Sequence, residues 1–177
     1  MIDAFLLNPV AQGVGFAGTV GGALWPLFRG RSGMLLAQLA TNLCFTAHYA
    51  LLGAGTGAAM NLLSSLQVAA AIPLGTRPRF RIAYLAVLPL VAAALALTWN
   101  GLPSVFAALG MTLISVARYQ TDVRLFRLAM AVALPCWFAH NLLVGSLPGM
   151  LSDATGLALN LAMMAGMRRR PAAQPTP

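Results

Sequence analysis

The sequence predicts an all-α membrane protein with seven transmembrane helices. The chain is 59% hydrophobic and only 8% charged, whereas ordinary soluble domains carry roughly 25% charged residues. With a mean hydropathy of +0.80, it has too few polar groups to cover its surface against water. A third observation, an internal repeat at an offset of 92 residues, divides the predicted helices into two equal groups joined by a linker helix.

Seven segments are predicted to cross the membrane, since a membrane helix needs about 20 mostly apolar residues. They cover approximately residues 9–28, 33–53, 56–75, 80–99, 102–118, 124–145 and 147–167. The N-terminal stretch MIDAFLLN lacks the basic region of a cleaved signal peptide, so we expect the first segment to be retained. The tail over 168–177 is polar and proline-rich, and we expect it to be disordered on the cytoplasmic side.

All basic residues of the chain are arginines, and they fall on one side of the predicted topology. They are Arg29, Arg31, Arg77, Arg79, Arg81, Arg118, Arg124, Arg127, Arg168, Arg169 and Arg170. Because cytoplasmic loops are enriched in basic residues, this side is predicted to be cytoplasmic and the N-terminus periplasmic. The net charge of +8 therefore reflects the arginines that orient the chain in the membrane. No nucleic-acid partner is expected, because the arginines are not clustered with aromatic residues on a soluble face.

The chain contains two cysteines and two histidines, and they occur twice in the same arrangement. The segments CFTAHYALLGAGTG (44–57) and CWFAHNLLVGSLPG (136–149) align without a gap at an offset of 92 residues. Self-similarity at a fixed offset indicates a duplicated structural unit. It predicts a first repeat over about 9–75, a linker helix over about 80–99 and a second repeat over about 102–167. One linker helix between two three-helix units makes the repeats parallel.

Polar residues at repeat-related positions are predicted to share a layer in the outer half of the membrane. His48 and His140 lie roughly one turn from the outer ends of their segments. Asn61 and Asp153 enter the following segments at about that depth. Further polar residues follow on the same helical faces, at positions i+3 and i+7. The candidate substrate-binding residues are His48, Asn61, Ser64, His140, Asp153 and Asn160.

Asp153 is the acid that lies well inside a predicted helix, where a charged side chain costs about 2.5–3.5 kcal/mol on insertion scales. Such residues usually face a cavity or a partner, and we expect His140 or His48 to be that partner. A His–Asp pair relays protons or binds hydroxyl and amine groups. The alternative is a shallow, solvated charge or a structural pair. The histidines likewise either line a pore or tether helices by hydrogen bonds.

Cys and His at positions i and i+4 in both repeats are compatible with a Cys₂His₂ metal site, since zinc accepts those ligands. Buried cysteine is usually a small apolar side chain, so no metal or other cofactor is assigned. Gly18 and Gly22 form a GxxxG face that indicates close helix packing. The sequence has no lysine, no HExxH motif and no GxSxG motif, so no enzyme is expected.

The three-plus-one-plus-three topology resembles that of the SWEET and PQ-loop transporters over the whole chain. The residues around the second histidine resemble the YgjV-like family of bacterial inner-membrane proteins more closely. They are Cys136, Trp137, His140, Asn141, Gly145, Ser146, Gly149, Asp153 and Asn160, with first-half counterparts Gln38, His48, Gly53, Gly57 and Asn61. The resemblance implies a multi-pass protein of the bacterial inner membrane and leaves the substrate open.

We predict a small-solute transporter or permease that works by alternating access between two three-helix bundles. Its partners are the lipid bilayer and a small solute, and both proton coupling and homo-oligomers are compatible with the sequence. The alternative is a non-transporting membrane scaffold or partner subunit, in which the same polar residues hold helices together. A third hypothesis is metal or haem binding through the paired Cys and His residues.

Overall fold

The protein is helical in the computed structural model, which describes residues 8–28, 30–74, 77 and 81–168. No strand occurs in these ranges, so the predicted all-α class is confirmed. The helices are α1 (Pro9–Leu24), α2 (Arg31–Leu51), α3 (Gly55–Leu74), α4 (Ile82–Leu85), α5 (Leu88–Leu97), α6 (Leu102–Tyr119), α7 (Val123–Val144) and α8 (Leu147–Arg168). The predicted tail beyond residue 168 lies outside the described residues, as do Arg29, Arg79, Arg169 and Arg170.

Two hairpins with the same backbone geometry join α2 to α3 and α7 to α8. Each turns at a glycine with positive φ, 72° at Gly53 and 71° at Gly145. The residue after each glycine donates its backbone N–H to a carbonyl of the preceding helix over 2.9 Å. The duplicated sequence therefore has the same local conformation in both halves. We call this end of the molecule the hairpin end and the opposite end, where α6 ends and α7 begins, the arginine end.

The long helices pack mainly against their neighbours in a closed ring, in the order α1, α2, α3, α6, α7, α8 and back to α1. An offset of 92 residues maps α1–α3 onto α6–α8 and each contact of the ring onto another contact of the ring. The order of the contacts therefore repeats at this offset, which divides the ring into two three-helix bundles around a central axis. The short helices α4 and α5 pack against α3 and α6 and connect the bundles.

The linker between the bundles differs from its prediction. The sequence predicts one helix over about 80–99, but α4 ends at Leu85 and α5 begins at Leu88. Pro89 is the physical reason, because proline has no backbone N–H and its ring clashes with the carbonyl four residues earlier, that of Leu85. The C-terminal end of the linker is tied to α3, where Thr56 donates to the carbonyl of Thr98 over 2.6 Å.

The distribution of side chains is the reverse of that in a soluble protein, in which polar residues cover the surface. Large apolar side chains are exposed on the outward faces of the long helices, among them Val20, Leu36, Leu43, Leu66, Leu109, Leu128, Val132, Leu142 and Leu161. Polar side chains are buried inside the ring, among them Gln38, His48, Asn61, Ser64, Gln67, Arg118, Arg127, His140, Asn141 and Asn160. An apolar exterior of this kind suits contact with lipid.

By length and apolarity, two helices of the described chain qualify as membrane spans, α6 and α7. The 16-residue α1 is short, and α2, α3 and α8 carry polar residues that lower their hydropathy. Many of those polar residues face the interior of the ring rather than its surface. The finer expectation of seven spans stays a prediction.

The predicted GxxxG face of α1 is confirmed as a packing surface. A Cβ atom built on Gly18 would lie 3.1 Å from the Cβ atom of Cys44 on α2. A Cβ atom on Gly22 would clash with the hydroxyl of Ser152 on α8. These glycines allow α1 to approach both neighbours in the ring, because any larger residue would separate the helices.

Gly15→Ala is expected to destabilise the protein by about 1–3 kcal/mol, the typical cost of overpacking. Its Cβ atom would lie 2.7 Å from Nδ1 of His48 and 2.8 Å from Cγ of Pro148. Gly13→Ala, on the same helix, is the control, since its Cβ atom would meet nothing within 4 Å. That change is expected to be neutral or to stabilise by up to about 1 kcal/mol. Thermal unfolding in detergent measures both, and equal melting temperatures would contradict the packing described.

Candidate functional site

A cavity of about 70 Å³ lies inside the ring of helices. Every long helix of the ring contributes to its wall. The lining residues are Gly22, Trp25, Gln38, Thr41, Asn42, Phe45, Tyr49, Asn61, Ser64, Ile114, Arg118, Met130, Leu134, Trp137, Asn141, Gly149, Ser152 and Asp153. By volume it has room for about five water molecules. We call it the central cavity.

The central cavity is lined from equivalent positions of the two bundles, because many of its lining residues are repeat mates of one another. The pairs are Gly22 with Ile114, Gln38 with Met130, Asn42 with Leu134, Phe45 with Trp137, Tyr49 with Asn141, and Asn61 with Asp153. No pair keeps the same residue type. The two halves of the wall are therefore related in position and different in chemistry.

A chain of hydrogen bonds crosses the axis on the hairpin side of the central cavity. The hydroxyl of Tyr49 donates to Oδ1 of Asn141, its own repeat mate, over 2.7 Å. The amide nitrogen of Asn141 then donates to Oδ2 of Asp153 over 2.7 Å. The carboxylate is an acceptor, so it sets the orientation of the Asn141 amide and leaves the amide oxygen for Tyr49. The chain joins α2, α7 and α8.

Aromatic rings surround this chain. The ring of Tyr49 stacks on Phe45 at 5.6 Å between centroids and on Trp137 at 6.2 Å, with interplanar angles of 23° and 18°. Phe45 and Trp137 are repeat mates, so the Tyr49 ring lies between equivalent positions of the two bundles. Stacked rings of this kind fill the space between the two bundles with rigid side chains and limit the space around Asp153.

Arg118 lies at the arginine end of the central cavity and is 2% exposed. Its guanidinium reaches from α6 to the other bundle, where it donates to Oε1 of Gln67 over 2.6 Å and to the hydroxyl of Ser64 over 3.0 Å. It also donates to Oε1 of Gln38 over 3.2 Å. These acceptors are neutral, and they hold a buried guanidinium in a fixed position against the wall of the cavity.

The two glutamines that accept from Arg118 differ in what their amide nitrogens do. Nε2 of Gln67 donates to the carbonyl of Tyr84 and to the hydroxyl of Ser115. Nε2 of Gln38 has no hydrogen-bond partner, and the residue is 5% exposed. Because Arg118 donates only, it fixes the amide oxygen of Gln38 on its own side. The cavity wall therefore contains an unsatisfied buried donor next to a positive charge.

The two histidines lie outside the wall of the central cavity and make equivalent bonds. Nδ1 of His48 bonds the carbonyl of Ala11 over 2.7 Å, and Nδ1 of His140 bonds the carbonyl of Pro103, the mate of Ala11, over 2.9 Å. A carbonyl accepts only, so each Nδ1 carries the hydrogen. Each histidine thereby ties the second helix of its bundle to the first.

The remaining nitrogens of the histidines differ because their surroundings have diverged. Nε2 of His48 lies 2.7 Å from the hydroxyl of Ser146, which precedes α8 and also accepts the backbone N–H of Gly149. The mate of Ser146 is Ala54, which has no hydroxyl. Nε2 of His140 is accordingly buried without a partner.

Asn160 lies deeper in the bundle and pairs with a second buried arginine. Its amide nitrogen donates to the carbonyl of Arg127 over 2.8 Å, and Nη1 of Arg127 donates back to the amide oxygen over 3.2 Å. Nη2 of Arg127 donates to the carbonyl of Pro26 over 3.1 Å. Asn160 is 0% exposed and does not line the central cavity. It joins α7 and α8 within one bundle.

The predicted substrate-binding residues thus separate into two groups. Asn61, Ser64 and Asp153 line the central cavity. The other three, His48, His140 and Asn160, make helix-to-helix hydrogen bonds away from it. The expected pairing of Asp153 with a histidine does not occur, since Asn141 donates to the carboxylate instead. Substrate binding itself stays a prediction for all six.

Several polar residues of the cavity wall were not predicted as binding residues, among them Gln38, Tyr49, Asn141 and Arg118. The internal repeat contained a signal for Tyr49 and Asn141, since they occupy mated positions directly after the duplicated Cys-x-x-x-His pattern. That signal is weak because the mates differ in type. Arg118 was interpreted as a cytoplasmic charge beside the connection that follows segment 102–118.

The alternative of a metal site has no structural support among the described residues. No group of three or more His, Cys, Asp or Glu side chains lies together there. Cys44 and Cys136 are free and half-buried, and the Cys136 thiol donates to the carbonyl of Val132 over 3.8 Å.

Ala54→Ser is expected to stabilise the protein by about 1 kcal/mol, because a serine hydroxyl there caps α3 and reaches Nε2 of His140. Ser146→Ala is the mirror-image change and is expected to destabilise it by about 1–2 kcal/mol. Thermal unfolding of both variants in detergent measures the effect. A stabilising Ser146→Ala would contradict the roles given to the hydroxyl.

The family of the chain is shown by comparison with known proteins. The model of the Imp-YgjV family, described as bacterial inner membrane protein, matches residues 9–171. No curated protein and no solved structure matches the chain. The match spans nearly the whole chain and confirms the resemblance seen around the second histidine. The protein belongs to the Imp-YgjV family of bacterial inner membrane proteins.

Proposed function

We propose that the protein is a small-solute transporter in which the central cavity holds the solute and the two bundles move against each other. The observation that carries this proposal is the division of the hydrogen bonds between the bundles into two sets. One set lies at the hairpin end, the other lies at the arginine end, and the central cavity lies between them. Alternating access needs this division, because one set can open while the other keeps the bundles together.

The first set, which we call the outer gate, consists of four hydrogen bonds between the bundles at the hairpin end. Nε2 of His48 meets the hydroxyl of Ser146 over 2.7 Å, and the hydroxyl of Tyr49 meets Asn141 over 2.7 Å. The hydroxyl of Thr19 donates to the carbonyl of Pro148 over 2.8 Å, and the hydroxyls of Thr56 and Ser104 lie 2.9 Å apart. In this proposal all four break when the cavity opens toward the hairpin end. His48 therefore acts in the gate rather than on the solute.

The second set, which we call the inner gate, is made by the two buried arginines. Arg118 on α6 bonds Gln38, Ser64 and Gln67 of the first bundle, while Arg127 on α7 bonds the carbonyl of Pro26 over 3.1 Å. Hydrogen bonds to charged donors are worth about 1.5–3 kcal/mol each. Each bond of the inner gate is thus stronger than a bond between the neutral groups of the outer gate.

The solute contacts assigned by this proposal are Asn61, Ser64 and Asp153, which line the wall between the gates. In this proposal the chain spans the membrane seven times. The two bundles and the α4–α5 linker form the spans, as in the SWEET-like topology predicted from the sequence. The apolar exterior of the described helices and the inner-membrane family are consistent with this arrangement. No catalytic role is assigned to any residue.

The arginine end is proposed to face the cytoplasm, which a pair of reporter fusions tests. Alkaline phosphatase fused after Pro177 is expected to be inactive, because it stays in the cytoplasm. The same enzyme fused after Asn100, in the connection between α5 and α6, is the control and is expected to be active. Activity of the fusion after Pro177 would contradict the orientation.

Alternating access predicts that a residue on the cavity wall is reached by water from each side in turn. With Cys44 and Cys136 replaced by alanine, Thr41→Cys is expected to react with a membrane-impermeant maleimide in both right-side-out and inside-out vesicles. Leu43→Cys, which is 53% exposed on the lipid-facing surface, is the control and is expected to react in neither. The readout is the fraction of labelled protein after a fixed time.

The scaffold hypothesis makes the opposite prediction for the same experiment. The bonds of His48, His140 and Asn160 to neighbouring helices are what a scaffold needs, and they favour it as the second candidate. In a scaffold, Thr41→Cys is labelled from one side only or from neither. That result with a folded variant would overturn the transporter proposal.

A further inference from the structure

We infer that the central cavity recognises a small zwitterion, a short amino acid whose ammonium group binds at Asp153 and whose carboxylate binds at Gln38 and Arg118. This inference rests on the proposed function, since it names the solute class of the same cavity. It follows from the chemistry of the two ends of the cavity and from the volume available.

The hairpin side of the cavity has the chemistry of a cation site. The carboxylate of Asp153 accepts one hydrogen bond, from Asn141, and forms no ion pair with any described residue. A carboxylate has about four acceptor positions, so most of its capacity is available to an ammonium group. Tyr49 and Trp137 line the same space and leave it without any other charged group on this side.

The arginine side has the chemistry of an anion site. Nε2 of Gln38 is a buried donor without a partner on the cavity wall, and a buried unsatisfied donor costs about 1–3 kcal/mol. A carboxylate oxygen satisfies it. The neighbouring guanidinium of Arg118 lines the same cavity and contributes positive charge, which favours an anionic acceptor over a neutral one.

The volume of the cavity limits the solute to the smallest members of this class. Room for about five waters corresponds to a solute of about five non-hydrogen atoms. Glycine has this size, and alanine and β-alanine are one atom larger. The charged wall residues have neutral mates, Asn61 for Asp153 and Pro26 for Arg118. The solute therefore has one orientation, with its ammonium group on the Asp153 side of the axis.

Protection from labelling tests this inference with glycine, alanine and β-alanine as probes. At least one of the three is expected to slow maleimide labelling of Thr41→Cys at least fivefold at saturation. Methylamine and acetate, which carry one charge each, are the matched probes. They are expected to need at least tenfold higher concentrations to give the same protection. Equal protection by methylamine would make the cavity a simple cation site and overturn the inference.

Two variants separate the ends of the cavity. Asp153→Asn and Gln38→Met, which introduce the residue types of the respective repeat mates, are each expected to raise the apparent Kd for the protecting amino acid at least tenfold. Leu43→Ala, on the lipid-facing surface, is the control and is expected to leave it unchanged. The melting temperature in detergent identifies a variant that has merely unfolded. The apparent Kd of the other, folded variant then tests the inference.

The outcomes distinguish this inference from the transporter proposal. Labelling of Thr41→Cys from both sides without protection by any of the three amino acids overturns the zwitterion and leaves the transporter standing. Unchanged binding in folded Asp153→Asn and Gln38→Met also overturns it. Labelling from neither side removes the proposed function itself.

Discussion

The structure depends on one constraint: the interior of a membrane offers no water for hydrogen bonding, so each polar side chain there needs a partner within the protein. Tyr49 and Asn141 meet this constraint by bonding each other across the axis. Arg118 and Arg127 meet it with neutral acceptors on the opposite bundle. Because the partners come from both bundles, the bonds that satisfy the buried polar groups also set how the bundles fit together.

Duplication and divergence have different consequences in this ring. Where the mates are retained, as for His48 and His140 or Gly53 and Gly145, the two copies make the same bond or the same turn. Where they differ, charge or hydrogen-bonding capacity appears in one copy only, as at Asp153. Many of these divergent positions line the central cavity. The retained residues therefore maintain the two bundles, and the divergent ones give the cavity its polarity.

Side-chain direction is the part of this fold that local sequence does not specify. Arg118 and Arg127 were interpreted as charges on the cytoplasmic side, yet both are 2% exposed, because a long side chain near a helix end can turn inward as easily as outward. The predicted linker helix is helical on both sides of a short break that precedes Pro89. The His–Asp pair failed because depth along a helix does not specify which of several polar neighbours a carboxylate meets.

The sequence by itself determined the all-α class, the membrane environment and the 92-residue correspondence between the halves. These depend on composition and local spacing, which a single chain displays directly. Only the tertiary structure decided that Asn61, Ser64 and Asp153 share a wall while His48, His140 and Asn160 bond neighbouring helices. The face that a helix turns to the axis is set by packing with its two neighbours in the ring. Packing of that kind joins residues up to 129 positions apart, as in the bond from Thr19 to the carbonyl of Pro148, and local spacing does not encode it.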